Sequence, residues 1–128
     1  LYYLVMNLFV LPTHREGFPN TVLEAQASAL PVITTVATGA VDSIEDGVTG
    51  LLVPVGDAGK LAAAMLSLLS DPARMRWMGQ LGRDRILREY RNEIIWEALS
   101  SLYQSMLKER GLPIADSCVE ASRCAQAR

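Results

Sequence analysis

The sequence is poor in the residues from which several classes of function are built. Cysteine occurs twice in 128 residues, and both copies, Cys118 and Cys124, lie in a polar C-terminal stretch. That excludes a disulfide-stapled scaffold and gives no zinc-ligand spacing. The one histidine, His14, has no partner at metal-ligand spacing and reads as a loop side chain rather than a catalyst. Positive charge is not in excess. The formal net charge is −2, which argues against a nucleic-acid partner. No long apolar run is present: the longest, Leu1 to Leu11, is interrupted by Asn7. A membrane span needs roughly 20 residues, and a signal peptide needs a basic start and a small-residue cleavage site that are lacking. What remains is a globular composition, 50% hydrophobic and 20% charged, in one small domain or part of a larger one. The expectation is a soluble, cytoplasmic α/β protein.

The order of elements is legible. Leu1 to Met6 reads as the last turns of a helix with Asn7 as C-cap. Leu8 to Leu11, closed by Pro12, reads as a strand buried on both faces. A polar loop, Thr13 to Pro19, leads into a helical pattern from Asn20 that meets no breaker until Pro31. Pro31 to Thr35 is a β-branched second strand, Ala40 to Glu45 a short helix, and Leu51 to Val55 a third strand. Asp57 is placed to cap a helix over 59–69. Asp71-Pro72 opens another that runs to about Tyr90, and a third long helix covers 92–110. Residues 111–128 lack periodicity and are expected to form a disordered tail. The alternation of strand and helix is that of a doubly wound parallel sheet. Three strands make a small sheet, and the chain opens at Leu1 rather than Met, in the middle of a helix-to-strand pattern. Both features lead us to expect a piece of a longer protein, with further strands on its N-terminal side.

In open parallel sheets, ligands bind beyond the carboxyl ends of the strands. The first such loop reads Pro12-Thr13-His14-Arg15-Glu16-Gly17-Phe18-Pro19 and passes into a helix at Asn20. Backbone N–H groups of Asn20, Thr21 and Val22 are expected to be free at the helix N-terminus, a site suited to a pyrophosphate. Glu24, near the first turn, is placed to accept hydrogen bonds from the vicinal hydroxyls of a ribose. Glu16, in the loop, can reach a second set of hydroxyls. One anion site between two polyol-binding carboxylates suits a nucleoside-diphosphate sugar. On spacing alone, a second reading stays open, in which both glutamates are surface acids complementing the helix dipole.

The stretch LPTHREGFPNTVLEAQASALPVITT, with Glu16 and Glu24 as an E-x7-E pair, resembles the signature of the glycosyl transferases group 1 family, which have the GT-B fold. SIEDGVTGLLVPVGD, from Ser43 to Asp57, and the helix LAAAMLSLLSDPARMRWMG follow in the family's order. The resemblance covers roughly residues 1–110 and implies part of the C-terminal, nucleotide-sugar-binding domain of such an enzyme. It further implies sugar transfer with retention of anomeric configuration, without a metal or other cofactor. Glu16 would then be the catalytic residue, contacting donor-sugar hydroxyls and stabilising positive charge near the anomeric carbon. Gly17, Phe18, Pro19 and Asn20 would shape the loop at the diphosphate and sugar, Thr21 and Val22 would hold the diphosphate through their N–H groups, and Glu24 would bind the ribose.

The chain departs from the family in places. Asn7 stands where an acid is usual, and Ala29 where glycine is usual. The family's N-terminal Rossmann-like domain, its acceptor site and its Arg/Lys pair at the diphosphate are not found, and Arg15 is a poor substitute for that pair. Partners are therefore expected to be a nucleotide-sugar donor, the missing N-terminal domain, and a lipid-linked or glycan acceptor, but no nucleic acid. Arg74, Arg76, Arg83, Arg85, Arg88 and Arg91 read as a solvated helix face, or alternatively as a surface for peripheral docking on the inner face of an anionic cytoplasmic membrane. Trp77 and Trp96 are expected in a core or at a domain interface, and Gly39 in a turn beside the cleft. Two functions are carried forward. One is the donor half of a glycosyltransferase of cell-surface polysaccharide or glycolipid synthesis, inactive by itself. The alternative is a truncated, catalytically silent nucleotide-binding remnant.

Overall fold

The computed structural model of the chain describes residues 2–113. The elements run β1 (Phe9–Leu11), α1 (Asn20–Ala27), β2 (Val32–Thr35), β3 (Gly50–Val53), α2 (Ala58–Leu69), α3 (Pro72–Glu89) and α4 (Asn92–Glu109). Single turns of 3-10 helix at Tyr2–Val5 and Val41–Ser43 replace the two short helices expected there. The three strands form one parallel sheet in the order β1-β2-β3, with Val10 opposite Ile33 and Ile33 opposite Leu51. The central strand is buried at all four positions, whereas β1 is only half-buried. β1 packs on both faces, as expected, but its burial is only partial because it is an edge of the described sheet.

Strand residues alternate between the two faces, as a period of two requires. Val32, Phe9, Leu11 and Leu52 join Val22, Ala25, Leu30 and Ile44 in a cluster on the α1 side. Ile33, Val10, Leu51 and Val53 join Leu61, Met65 and Leu68 of α2 and Met75 and Met78 of α3 on the other. Each fully buried aliphatic side chain contributes about 1.5–3 kcal/mol, so both faces hold the sheet. The helix starts follow their caps. Asp57 Oδ1 accepts from Lys60 N at 2.8 Å, and Asp71 Oδ1 accepts from Arg74 N at 2.9 Å with Pro72 in the first turn.

The end of α1 explains one departure from the family pattern. Leu30 N–H donates to Ala25 O and Ala29 N–H to Gln26 O, which is a Schellman turn. Its left-handed position is Ala29, at φ 59°. Glycine is favoured there because a Cβ costs roughly 1–2 kcal/mol in this conformation. The sequence departs from the family at a point of backbone strain, not of packing. Ala29→Gly is expected to stabilise the fold by up to about 1 kcal/mol, the relief being partly offset by a more flexible unfolded chain. A urea midpoint raised at unchanged slope is the check. α3 lies against this turn: a Cβ on Gly79 would overlap the Ala29 carbonyl oxygen and sit 2.8 Å from its carbon.

The described residues divide into two compact units, one ending at Tyr90 and the other beginning at Arg91. In the second, α4 has no buried residue, and Ile94, Ile95, Leu102 and Met106 of its apolar stripe are exposed. Trp77 and Trp96 are 56% and 66% exposed, so neither is a core residue. The expected tail beyond 113, with Cys118 and Cys124, lies outside the described residues. Among the described residues, no helix is long and apolar enough to cross a membrane.

Candidate functional site

The loop from Pro12 to Pro19 leaves the carboxyl end of β1 and is tied to the neighbouring strand at its base. Thr13 N–H donates to Thr35 Oγ1 at 3.2 Å, and the Thr35 hydroxyl donates to Thr13 O. Farther along, Glu16 N–H donates to Thr38 O at 3.3 Å. Gly39, at φ 77°, packs on the same segment, and a Cβ there would overlap the Gly17 carbonyl oxygen and lie 2.8 Å from Glu16 O. Gly39 thus marks the turn expected of it. Its lack of a side chain lets the loops after β1 and β2 interlock. Within the loop, Glu16 is half-buried while Gly17 and Phe18 are exposed, and the Phe18 ring stacks on Tyr90 with centroids 5.8 Å apart.

The loop ends at buried Pro19, the N-cap of α1, in extended conformation with no side-chain cap. This start differs from those of α2 and α3, which Asp57 and Asp71 seal. Among the described residues, the N–H groups of Asn20 and Thr21 have no hydrogen-bond partner, and both residues are exposed. Val22 departs from expectation. Its N–H donates to Pro19 O at 3.0 Å and its side chain is fully buried, so the free donors are two rather than three. The helix end carries partial positive charge, which these two donors present to solvent.

Glu24 lies on the exposed side of α1, and its Oε2 accepts a 2.9 Å hydrogen bond from the Tyr3 hydroxyl. Partial burial, then the hydrogen bond to Glu24 and its negative charge, raise the Tyr3 phenol above its ordinary pKa, so the phenol keeps its proton and donates. Tyr3 also packs edge-on against Phe9, at 5.9 Å between ring centroids. Sequence reasoning did not single out Tyr3, because a 21-residue separation leaves no local signal.

A cavity of about 150 Å³ opens at the carboxyl ends of all three strands, lined by Thr13, His14, Thr35, Pro54 and Asp57 among others. Glu16 and Glu24 are not among its lining residues, so it flanks the Glu16 loop rather than containing it. His14 is exposed on its wall, as a loop side chain. Among the described residues, no three histidine, cysteine or acidic side chains gather as they would around a metal ion.

The arginine run of α3 divides. Arg85 is 8% exposed, and so is not part of a solvated face. Its guanidinium donates to Ser43 O at 2.9 Å, Asp42 O at 3.2 Å and Tyr90 Oη at 3.3 Å, and pairs with Glu89 at 3.1 Å and Glu45 at 3.4 Å. Arg83 is exposed, though it donates to Ala27 O at 2.6 Å, and Arg74, Arg76, Arg88 and Arg91 are exposed as expected.

Comparison with known proteins places this architecture. The family described as "Glycosyl transferases group 1" matches residues 1–71, which include β1, the Glu16 loop, all of α1 and β3. The chain is 45% identical over 108 residues to the capsular polysaccharide biosynthesis glycosyltransferase CapM of Staphylococcus aureus, covering 84% of this chain and 28% of that protein. It is 39% identical over 90 residues to a GDP-mannose-dependent monoacylated alpha-(1-6)-phosphatidylinositol monomannoside mannosyltransferase of Corynebacterium glutamicum, covering 70% of this chain and 23% of that one. Among solved structures, it superposes on a sucrose-phosphate synthase from Thermosynechococcus elongatus with TM-score 0.82 and 35% identity. That match covers 84% of this chain and 27% of the other. The chain therefore spans about a quarter of the length of each of these proteins. The parallel sheet, its helices and the order of its sequence blocks agree: the chain belongs to the glycosyl transferases group 1 family, with the α/β fold of a GT-B glycosyltransferase.

Proposed function

We propose that these residues form the donor-binding part of an enzyme that moves a sugar from a nucleoside-diphosphate sugar to a lipid-linked or glycan acceptor, with retention of configuration and without a metal. The observation that carries this reading is the start of α1. Among the described α-helices of the sheet unit it alone starts without a side-chain cap, it lies at the carboxyl end of β1, and it presents the free N–H groups of Asn20 and Thr21 between Glu16 and Glu24. The GDP-mannose dependence of the Corynebacterium relative supports a nucleotide-sugar donor, and the capsular polysaccharide biosynthesis of CapM supports polysaccharide synthesis.

In this reading the diphosphate sits at the α1 N-terminus, where the two N–H groups and the helix dipole stabilise the charge that grows as the glycosidic bond to phosphate breaks. Gly17, Phe18, Pro19 and Asn20 shape the wall of that site. Glu16 accepts from hydroxyls of the donor sugar and offsets positive charge developing at its anomeric carbon. Glu24 accepts from the ribose hydroxyls, and Tyr3 orients its carboxylate. Residues 1–110 are read as part of the C-terminal domain of the enzyme. The acceptor and the remaining diphosphate contacts belong to other parts of the protein, so these residues alone do not transfer sugar.

The test is to supply the full-length protein with UDP-, GDP- and ADP-sugars, and to follow nucleoside-diphosphate release and the anomeric proton of the product. Release from one donor class with the donor's anomeric configuration supports the reading. Inversion, or no release from any donor, overturns it. Glu24→Ala is expected to weaken binding of the preferred nucleotide by about tenfold or more, since hydrogen bonds to a charged group contribute about 1.5–3 kcal/mol. Calorimetric titration against wild type measures this.

A further inference from the structure

We propose that Arg85 and Tyr90, at the end of α3, are positioning residues for the Glu16 loop. They act through a relay that runs from the Arg85 guanidinium to the Tyr90 ring and from that ring to Phe18. Their link to donor binding rests on the function proposed above, whereas their hold on the loop does not.

Three observations converge. First, the Arg85 fork is buried and spent inside the protein. It donates to the carbonyls of Asp42 and Ser43, in the loop that begins at Gly39, and to the Tyr90 hydroxyl. Ser43 O also accepts from Gln26 Nε2 of α1 at 2.7 Å, so α1 and α3 grip the same carbonyl. A buried guanidinium is costly unless its donors are met. Here Nε is met by Glu89 and Glu45, and the two terminal nitrogens converge on the Asp42–Ser43 carbonyls and the Tyr90 hydroxyl. Second, the Arg85 guanidinium carbon lies 5.5 Å from the Tyr90 centroid, within the range at which a cation is drawn to an aromatic ring. Third, Tyr90 is half-buried and stacks on Phe18, which itself is 42% exposed and adjoins Gly17. Arg85 thus reaches the Glu16 loop by two routes. One passes through Asp42, Ser43 and Gly39 to Gly17. The other passes through Tyr90 to Phe18. Glu16 lies beside the two residues on which these routes end.

Two variants separate the ring from its hydroxyl. Tyr90→Phe keeps the stack and loses the hydrogen bond to Arg85. Tyr90→Ala loses the stack as well. In the full-length protein, hydrogen exchange of the segment 13–19, which contains the Glu16 N–H bonded to Thr38, reads the loop directly. Exchange of Val32–Thr35 reads the sheet. Tyr90→Ala is expected to exchange several-fold to about tenfold faster over 13–19 with the sheet unchanged, in line with the coupling of an aromatic pair. Tyr90→Phe, which keeps the stack and loses one long 3.3 Å hydrogen bond, is expected to exchange more slowly over 13–19 than Tyr90→Ala. Donor KM is expected to rise in the same order. Arg85→Met should release both routes. If that variant does not fold, Tyr90→Ala decides.

Unchanged exchange over 13–19 in Tyr90→Ala overturns the relay. So does equal acceleration in the sheet, which marks general destabilisation. A wild-type protein that binds no nucleotide sugar would sink the donor reading alone, because the exchange comparison needs no ligand.

Discussion

Glu16→Ala is expected to lower sugar transfer by about 10²–10³-fold, the range seen when a single group that stabilises transition-state charge is removed. Affinity for the free nucleoside diphosphate should change by less than about threefold. The two halves of this expectation have one cause. Glu16 sits in the loop ahead of Pro19, whereas the proposed anion site and Glu24 belong to α1 itself. A group that meets only the sugar loses nothing when the sugar is absent from the ligand. The measurement pairs the transfer rate at saturating donor with the affinity of the nucleotide alone. Equal loss of nucleotide affinity in Glu16→Ala and Glu24→Ala would contradict the division of labour.

Gly39→Ala is expected to cost roughly 2–5 kcal/mol, the sum of a left-handed alanine and an overpacked contact. Donor binding should fall with it. The added Cβ meets backbone, the carbonyls of Gly17 and Glu16, and no side chain can swing aside to receive it. Either the turn after β2 or the Glu16 loop must move. Gly47 and Gly56 supply the control. They share the positive φ, 77° and 76°, but a Cβ on either meets nothing within 4 Å. Alanine there should cost only the conformational part, roughly 1–2 kcal/mol. The excess of Gly39 over Gly47, read from denaturation midpoints, is the energy of the interlock between the two loops. No excess would mean that the loops can separate freely.

Much of this arrangement is written locally in the chain. Asp57 and Asp71-Pro72 announce the starts of α2 and α3, because a cap acts over three residues. The β-branched run at Val32 and Ile33 announces the central strand. Gly17, Pro19 and the Glu16–Glu24 spacing mark the loop and helix start, and the family resemblance gave them roles. What escaped the reading depends on distance in sequence. Arg85 stands in a run of exposed arginines, and nothing nearby tells that its donors meet carbonyls 42 and 43 residues earlier. Tyr3 finds Glu24 across 21 residues. The turn that takes up the Val22 N–H is a matter of backbone angle at Pro19, to which composition is blind. The apolar run of β1 announces packing on both faces, but how deeply a strand is buried also depends on having neighbours on both sides, a property of the sheet rather than of the strand. Ala29 is the opposite case. Its mismatch with the family pattern was visible, and only the φ of 59° shows why that position favours glycine.

The central claim is that the α1 N-terminus, flanked by Glu16 and Glu24, holds a nucleoside-diphosphate sugar. Ligand-observed NMR on the folded full-length protein, with UDP, GDP and ADP and their sugar conjugates, tests it most directly when Glu24→Ala is run beside wild type. The account predicts saturation transfer to one nucleotide and its sugar conjugate, strongest at the ribose protons and weakened in the variant. A folded protein that binds none of them, or a variant that binds as well as wild type, would contradict it.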